Sequence, residues 1–394
     1  MALTITDVVL PGGTRSSVRV VDGVVTAIGG EPQPGDERLD GNGRLVLPAM
    51  AEAHAHLDKA FLSERVPNPT GDLMGAIYGM QAARDTITAD DTLARAERAA
   101  RLIAANGATA IRTHADVTTD GGLTSVHALL RLRDALRDVV HLEVVGLCGW
   151  PVVGAAGAEQ RALLREAIAL GVDAVGGCPH LEDDPVAANE YFLTVAAEHG
   201  LPVDLHTDET LDPSKFALAD LAERVIASGF PHRVAASHCV SLGVQQPDIQ
   251  RRVAEAVAAA GISVIALPSS NLYLQGRAVE QAVPRGLTAI GALRTAGANL
   301  AAGWDNLQDP FNPVGRGDCL ETASLMVMAG HLLPAEAYHT VSAATRALMG
   351  LAPAGPTVGH VADLVLIDAA DVREAIAFAP TPRTVIRAGR VVTA

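Results

Sequence analysis

The chain has 394 residues, of which 49% are hydrophobic and 19% charged, so it can bury one large core and still carry a small extra domain. Its formal charge of −15 would repel a phosphate backbone, which argues against nucleic acid as a partner and favours a free small molecule. Its four cysteines form no C-x-x-C pair, and neither a signal peptide nor a run of about 18 apolar residues is evident, so we expect a cytoplasmic protein that does not enter a membrane.

The two ends of the chain share a β-rich pattern. Residues 1–48 consist of short apolar runs separated by turn residues, and residues 352–394 repeat that style. We therefore predict that both termini together form one small discontinuous β-sandwich domain.

Between these ends, residues 49–351 alternate strand-like and helix-like segments. Eight apolar runs have the length of buried strands, at 46–56, 109–117, 142–148, 172–177, 202–206, 233–238, 262–267 and 298–305. The segments between them carry apolar residues at three- and four-residue spacing, which is typical of amphipathic helices. Eight such units predict an α/β fold, a (β/α)8 TIM-like barrel, with an open parallel sheet as the alternative.

Several of the predicted barrel strands end in residues that bind metals. His54 and His56 are two apart, so on an extended strand both imidazoles point to the same face. His206, His238 and Asp305 end the fifth, sixth and eighth strands. A lone histidine is more often a packing residue, but five such groups at the carboxyl ends of barrel strands together indicate a metal centre.

Seven sequence segments carry a resemblance to a known family. In chain order they are EAHAHLDKAF at 52–61, RTHADV at 112–117, PHLE at 179–182, HTDE at 206–209, SHC at 237–239, NLYLQGR at 271–277 and WDNLQDPFNPVG at 304–315. In their order and spacing the chain resembles the amidohydrolase superfamily and, within it, the cytosine-deaminase-like branch.

This resemblance implies a hydrolytic deaminase of a small amino-substituted N-heterocycle, such as a cytosine-like free base, that uses a metal-activated hydroxide and releases ammonia. The implied metal ligands are His54, His56, His206 and Asp305. His238 is implied to hydrogen-bond the metal-bound water, with Asp305 helping to orient it, and Glu209 to act as the proton shuttle.

We expect one divalent metal ion, Zn²⁺ or Fe²⁺, because imidazole and carboxylate ligands suit both ions. Binuclear relatives commonly bridge two ions with a carboxylated lysine at the end of the fourth strand. In this chain the fourth strand ends Gly176-Gly177-Cys178-Pro179, and the only two lysines are Lys59 and Lys215.

The residues expected to contact the substrate depart from the pattern of cytosine deaminases. Gly149 stands where those enzymes place a glutamine that reads the pyrimidine, Trp150 adds an indole beside it, and Asn306 replaces an aspartate. Lys59 either contacts the substrate or forms an ion pair that positions its loop, and His180 is expected to line the pocket. Candidate substrates therefore include isocytosine, substituted cytosines, aminotriazines and creatinine-like rings.

Two other functions compete with deamination. The same metal site could serve a cyclic-amide or N-alkylamine hydrolase, although the lysine-free fourth strand argues against the cyclic-amide version. A non-catalytic metal-binding barrel is the third possibility, but Glu209 and His238 argue against it because a binding module needs no proton shuttle. Assembly as a homo-oligomer is suggested only by analogy with relatives.

Overall fold

The strands of the chain fall into two sheets, as described for residues 2–392 by a computed structural model. The strands are β1 (Ala2–Val9), β2 (Arg15–Val21), β3 (Val24–Ile28), β4 (Glu37–Asp40), β5 (Leu45–Pro48), β6 (Met50–Ala55), β7 (Ala108–Val117), β8 (His141–Cys148), β9 (Ala174–Gly177), β10 (Val203–Thr207), β11 (Val234–His238), β12 (Ser263–Ala266), β13 (Leu300–Ala302), β14 (Leu364–Ile367), β15 (Thr384–Arg387) and β16 (Arg390–Val391).

Helices separate most of the barrel strands. They are α1 (Leu73–Ala83), α2 (Ala89–Ala105), α3 (Thr124–Ala135), α4 (Ala158–Leu170), α5 (Pro185–His199), α6 (Leu218–Ser228), α7 (Val240–Gly243), α8 (Pro247–Ala259), α9 (Pro268–Leu274), α10 (Ile290–Ala296), α11 (Cys319–Met328), α12 (Pro334–Thr340), α13 (Ala343–Leu348) and α14 (Val372–Phe378). None of the helices within residues 2–392 has the length and apolar character needed to cross a bilayer.

Strands β6 to β13 lie side by side in chain order, and the neighbours pair in parallel. These strands are buried on both faces because helices cover the outside and side chains fill the inside, which is why their sequences are continuous apolar runs and not alternating ones. The predicted (β/α)8 barrel is confirmed.

The barrel closes where its last strand meets its first. Beyond the end of β13, Asp305 pairs with Ala55 in a parallel bridge. The carboxylate of Glu52, which is wholly buried, accepts hydrogen bonds from the backbone N–H of His54 at 2.9 Å and of Trp304 at 3.4 Å. One side chain thus ties the first barrel strand to the segment that follows the eighth.

The terminal strands form one mixed sheet in the order β16-β15-β14-β5-β1-β2-β3, with β4 also pairing with β1. The sequence run 46–56 contributes to both sheets, since β5 pairs antiparallel with β14 and β6 opens the barrel one residue later. An uninterrupted apolar run gives no periodicity signal at that break. The exact domain boundaries at residues 48/49 and 351/352 stay predictions.

The fourth barrel strand ends in glycine because nothing larger fits there. A Cβ atom on Gly177 would lie 2.0 Å from Cζ of Phe192, and one on Gly176 would lie 2.7 Å from Cγ1 of Val145. The end of β9 therefore has no room for a lysine unless the packing of α5 changes.

We expect Gly177→Ala to lower the free energy of unfolding by about 1–3 kcal/mol, because the added methyl group overpacks the contact with Phe192. Gly291→Ala is the matched control, since a Cβ atom on that helical glycine meets nothing within 4 Å. Denaturant unfolding of the two variants measures the difference. Equal stability would show that the Phe192 ring moves aside freely.

Candidate active site

A cavity of about 560 Å³ opens at the carboxyl ends of the barrel strands. The groups that line it from the barrel side include His56, His206, His238 and Asp305, and α1 contributes Leu73, Ile77 and Met80 to its wall. All of the predicted catalytic side chains lie at this end of the barrel, where enzymes of this architecture place their chemistry.

Three imidazoles and one carboxylate converge at the base of the cavity. Nε2 of His56 lies 3.2 Å from Nε2 of His206 and 3.2 Å from Oδ1 of Asp305. Nε2 of His54 lies 3.5 Å from the same carboxylate oxygen. Ligands about 2.0–2.1 Å from a tetrahedral ion lie roughly 3.3–3.4 Å from one another, so these spacings fit a single divalent cation.

Two of these atoms are buried without a hydrogen-bond partner among residues 2–392, namely Nε2 of His54 and Oδ1 of Asp305. Buried polar atoms are normally satisfied, so such orphaned atoms facing one another indicate a missing shared partner. His54, His56 and His206 form one group able to hold an ion, and His54, His238 and Asp305 form another. The donor set is that of a metal centre.

A second layer of polar groups fixes the orientation of His54. Its Nδ1 lies 2.9 Å from Oγ of Ser237, whose hydroxyl donates to Asp204 at 2.9 Å. Asp204 also accepts from Arg112 at 2.9 Å. Because the serine proton points to the carboxylate, its oxygen can accept the Nδ1 proton of His54, which leaves Nε2 as a lone pair aimed at the centre.

Left-handed backbone is concentrated around the site. The φ values of Asp208, His238, Cys239 and Asp305 are 52°, 65°, 48° and 74°, yet none of these residues is glycine. Such conformations cost of order 1–3 kcal/mol each and persist only where the surrounding structure enforces them. Here they turn the chain sharply at the ends of β10, β11 and β13, so that side chains face the cavity.

Burial sets the protonation of the imidazoles. It holds the pKa of His54, His56 and His206 well below the ordinary value, and the neighbouring histidines lower each of them further, together with Lys59 for His56. Burial also lowers the pKa of His238 and of His180 to about 4. Neutral imidazole is the form that binds a metal, so this environment favours ligation.

Glu209 lies between two of these histidines on the cavity wall. Its Oε1 is 3.5 Å from Nδ1 of His238, and its Oε2 is 3.8 Å from Nε2 of His180. Burial raises the pKa of Glu209 well above its usual value, and Asp305 raises it further. The carboxyl group is therefore equipped to carry a proton.

His238 has a defined tautomer. Its Nδ1 lies 3.1 Å from Oδ1 of Asn271, an acceptor, so the ring proton sits on Nδ1. Nε2 is then a free lone pair, and it has no hydrogen-bond partner among residues 2–392. The ring can accept a proton at that atom.

Lys59 is buried in a cluster of charges beside the site. Its Nζ lies 2.6 Å from Asp116, 3.5 Å from Asp58 and 3.1 Å from Nδ1 of His56. Burial opposes its charge, but the two carboxylates raise its pKa above the ordinary value. Lys59 thus forms the ion pair considered in the sequence analysis and lines the cavity as well.

The other residues predicted to contact substrate also line the cavity, namely Gly149, Trp150, His180 and Asn306. His180 donates from Nδ1 to the backbone oxygen of His206 at 3.0 Å, and Asn306 donates to Asp309 at 2.8 Å. His114 lies below the centre, with its ring centroid 4.0 Å from that of His54 and its Nε2 3.6 Å from Asp204.

The sequence analysis did not identify several residues that line the cavity. Gln160, Arg84 and the apolar face of α1 all line the cavity. Gln160 stands in the first turn of a helix and Arg84 directly after one, where polar residues are common, so neither carries a motif. The length of the connection from β6 to α2 was the one available signal, because long loops at this end of a barrel often cover the site.

Comparisons with known proteins agree with this geometry. The chain is 33% identical to a pterin deaminase of Rhizobium rhizogenes, over 97% of this chain and 88% of that protein. Its fold superimposes with a TM-score of 0.91 on 5-methylcytosine deaminase from Klebsiella pneumoniae liganded with 5-fluorocytosine, at 29% identity, covering 99% of this chain and 97% of that one.

A third relative is named for a different leaving group, an isopropylamino group. N-isopropylammelide isopropylaminohydrolase from Burkholderia multivorans is 28% identical with a TM-score of 0.86, covering 100% of this chain and 98% of that chain. The Amidohydrolase family itself matches residues 80–393. The resemblance seen in the sequence motifs is confirmed, and the chain belongs to the Amidohydrolase family of metal-dependent enzymes.

Proposed function

We propose that this protein is a hydrolytic deaminase of an amino-substituted N-heterocycle, with ammonia as the leaving group. The observation that carries the proposal is the placement of Glu209. Its carboxyl group faces the cavity 3.5 Å from His238, on the loop that follows His206, where it can reach a ring nitrogen of a bound heterocycle.

One divalent cation, Zn²⁺ or Fe²⁺, would be held by His54, His56, His206 and Asp305. Such an ion supplies Lewis acidity and lowers the pKa of a coordinated water towards neutrality. A single ion is supported by the end of β9, where Gly177 has no space for a bridging lysine.

The residues of the chain then move the protons. His238 accepts a proton from the attacking water at Nε2, while Asn271 holds its Nδ1 proton. The water oxygen bonds to the amino-bearing carbon while Glu209 donates its proton to the adjacent ring nitrogen, so that this carbon becomes tetrahedral and carries a hydroxyl and an amino group. His238 passes its proton to the exocyclic nitrogen and Glu209 takes the hydroxyl proton, so the carbon–nitrogen bond breaks, the carbonyl forms, and ammonia and the oxo heterocycle leave.

The cavity supports a substrate larger than a single ring. Its volume of about 560 Å³ lies within the ~300–1,000 Å³ typical of pockets for drug-sized ligands. Trp150 and Phe311 offer flat apolar surface on its wall. A bicyclic amino heterocycle such as pterin fits this space, alongside cytosine, isocytosine and aminotriazines.

Metal analysis and an ammonia-release screen test this proposal. We expect about one zinc or iron per chain in protein purified without chelator, and ammonia from at least one of cytosine, isocytosine, 5-methylcytosine, pterin, creatinine and aminotriazines. Glu209→Gln removes the proton donor and keeps the shape, so turnover is expected to fall by about 10²–10⁴-fold. Glu190→Gln, at an exposed glutamate on α5, is the matched control and keeps full activity.

Two results would contradict the proposal. Folded protein that binds no divalent metal excludes the centre itself. Metal-loaded protein that releases no ammonia, yet releases an alkylamine from an N-alkylated aminotriazine, identifies the second candidate, N-alkylamine hydrolysis. The similarity to N-isopropylammelide isopropylaminohydrolase favours that candidate over ring hydrolysis.

The hydrogen bond from His54 to Ser237 gives a test of metal binding that does not depend on turnover. Ser237→Ala removes the group that orients the imidazole, and we expect metal affinity to fall by about 10–100-fold. Ser228→Ala, at an exposed serine that ends α6, serves as the control. Competition with a fluorescent chelator measures both affinities, and equal values would show that Ser237 has no part in holding the ligand.

A further inference from the structure

Gln160 is a buried amide on the wall of the cavity. It lies in the first turn of α4, 2% exposed, and its side chain points towards the barrel and not along the helix. A glutamine in the first turn often bonds back to the start of its own helix, but here the side chain reaches the ends of two barrel strands.

Both N–H groups of this amide have partners in the barrel. Nε2 donates to the backbone oxygen of Val117 at 2.5 Å and to Sγ of Cys148 at 3.4 Å. Val117 and Cys148 are the last residues of β7 and β8. The amide cannot rotate without losing these hydrogen bonds, so the direction of its carbonyl oxygen is fixed.

The carbonyl oxygen of Gln160 is left free for another donor. Among residues 2–392 no group donates to this side-chain oxygen, Oε1, whereas the backbone oxygen of Gln160 faces Sγ of Cys148 at 3.9 Å. Gly149 lies beside Oε1, and a Cβ atom on this glycine would be only 3.2 Å from that oxygen. The missing side chain at Gly149 therefore keeps this acceptor uncovered.

Three other polar side chains that line the cavity have partners already. Lys59 and Arg84 pair with Asp116, and Asn306 bonds to Asp309. An oriented acceptor that opens onto a largely apolar cavity is well placed to receive a donor of a bound ligand.

We propose that the carbonyl oxygen of Gln160 accepts a hydrogen bond from an N–H group of the heterocyclic substrate and so determines which heterocycles bind. This inference rests on the proposed function, because it takes an amino heterocycle as the ligand. The amide comes from α4 and enters the wall beside Gly149, so it compensates in space for the side chain that the strand end lacks.

Equilibrium binding to zinc-loaded Glu209→Gln protein tests the inference, since this background does not consume the ligand. The probes are cytosine, isocytosine and pterin, each measured by calorimetry. For the probe that binds most tightly, we expect Gln160→Met to raise Kd between about fivefold and a hundredfold, as a lost partner for a buried N–H requires. Gln33→Met, which removes an exposed amide far along the chain from the cavity residues, is expected to change Kd less than twofold.

Gly149→Ala distinguishes a role of Gln160 in binding the substrate from a role in joining β7 and β8. The methyl group of this variant would lie 3.2 Å from Oε1 and from Cγ2 of Thr118, so both neighbours shift by a few tenths of an ångström and the melting temperature falls slightly, while Kd is expected to rise at least about fivefold. A role limited to joining β7 and β8 would instead lower the melting temperature of Gln160→Met and leave Gly149→Ala with normal binding.

Unchanged binding in both Gln160→Met and Gly149→Ala, equal losses in Gln33→Met, or no binding of any probe would overturn the inference. Its failure is distinguishable from failure of the proposed function. Ammonia release by the unmutated enzyme with no dependence of binding on Gln160 rejects this inference alone. Binding that depends on Gln160, without ammonia release from any probe by the unmutated enzyme, rejects the deaminase proposal alone.

Discussion

The closure of the barrel runs through the metal centre itself. The backbone N–H of His56 donates to the oxygen of Asp305 at 3.0 Å, and the N–H of Asp305 donates to the oxygen of His54 at 3.1 Å. The hydrogen bonds that join the two ends of the barrel therefore lie between the residues proposed to hold the ion. Because these ligands come from opposite ends of the domain sequence, they meet only when the barrel is complete, and the buried carboxylate of Glu52 secures the same junction.

This junction explains why several polar and charged side chains are buried inside the barrel. Arg112, Asp204 and Ser237 are all buried, yet they form one connected network that ends at the imidazole of His54. Buried polar groups stabilise a fold only when each finds a partner, and a completed network also restricts the rotamers of its members. The barrel interior thus serves as a rigid support for the centre above it.

The sequence alone predicted the barrel, its eight strands and the converging histidines, because buried strands have continuous apolar runs and metal ligands have few side-chain types. It placed a domain boundary at residues 48/49 but read 46–56 as one strand, because Pro48 alone does not show that β5 and β6 belong to different sheets. The position of Gln160 in the cavity wall could not be predicted from the sequence either. Its side-chain oxygen is uncovered because Gly149 has no side chain. Hydrophobic periodicity carries no information about contacts between a loop and the next helix.

Because the Gln160 amide comes from α4, it lies on a different element of the fold from the residues that close the barrel and bind the ion. The strand ends carry residues that must satisfy both barrel closure and ion binding, so most substitutions there damage the whole enzyme. The first turn of α4 lies outside that junction and contributes to the cavity through a single side chain. A substitution on this helix can therefore change the cavity wall while the barrel junction and the metal-binding residues stay intact.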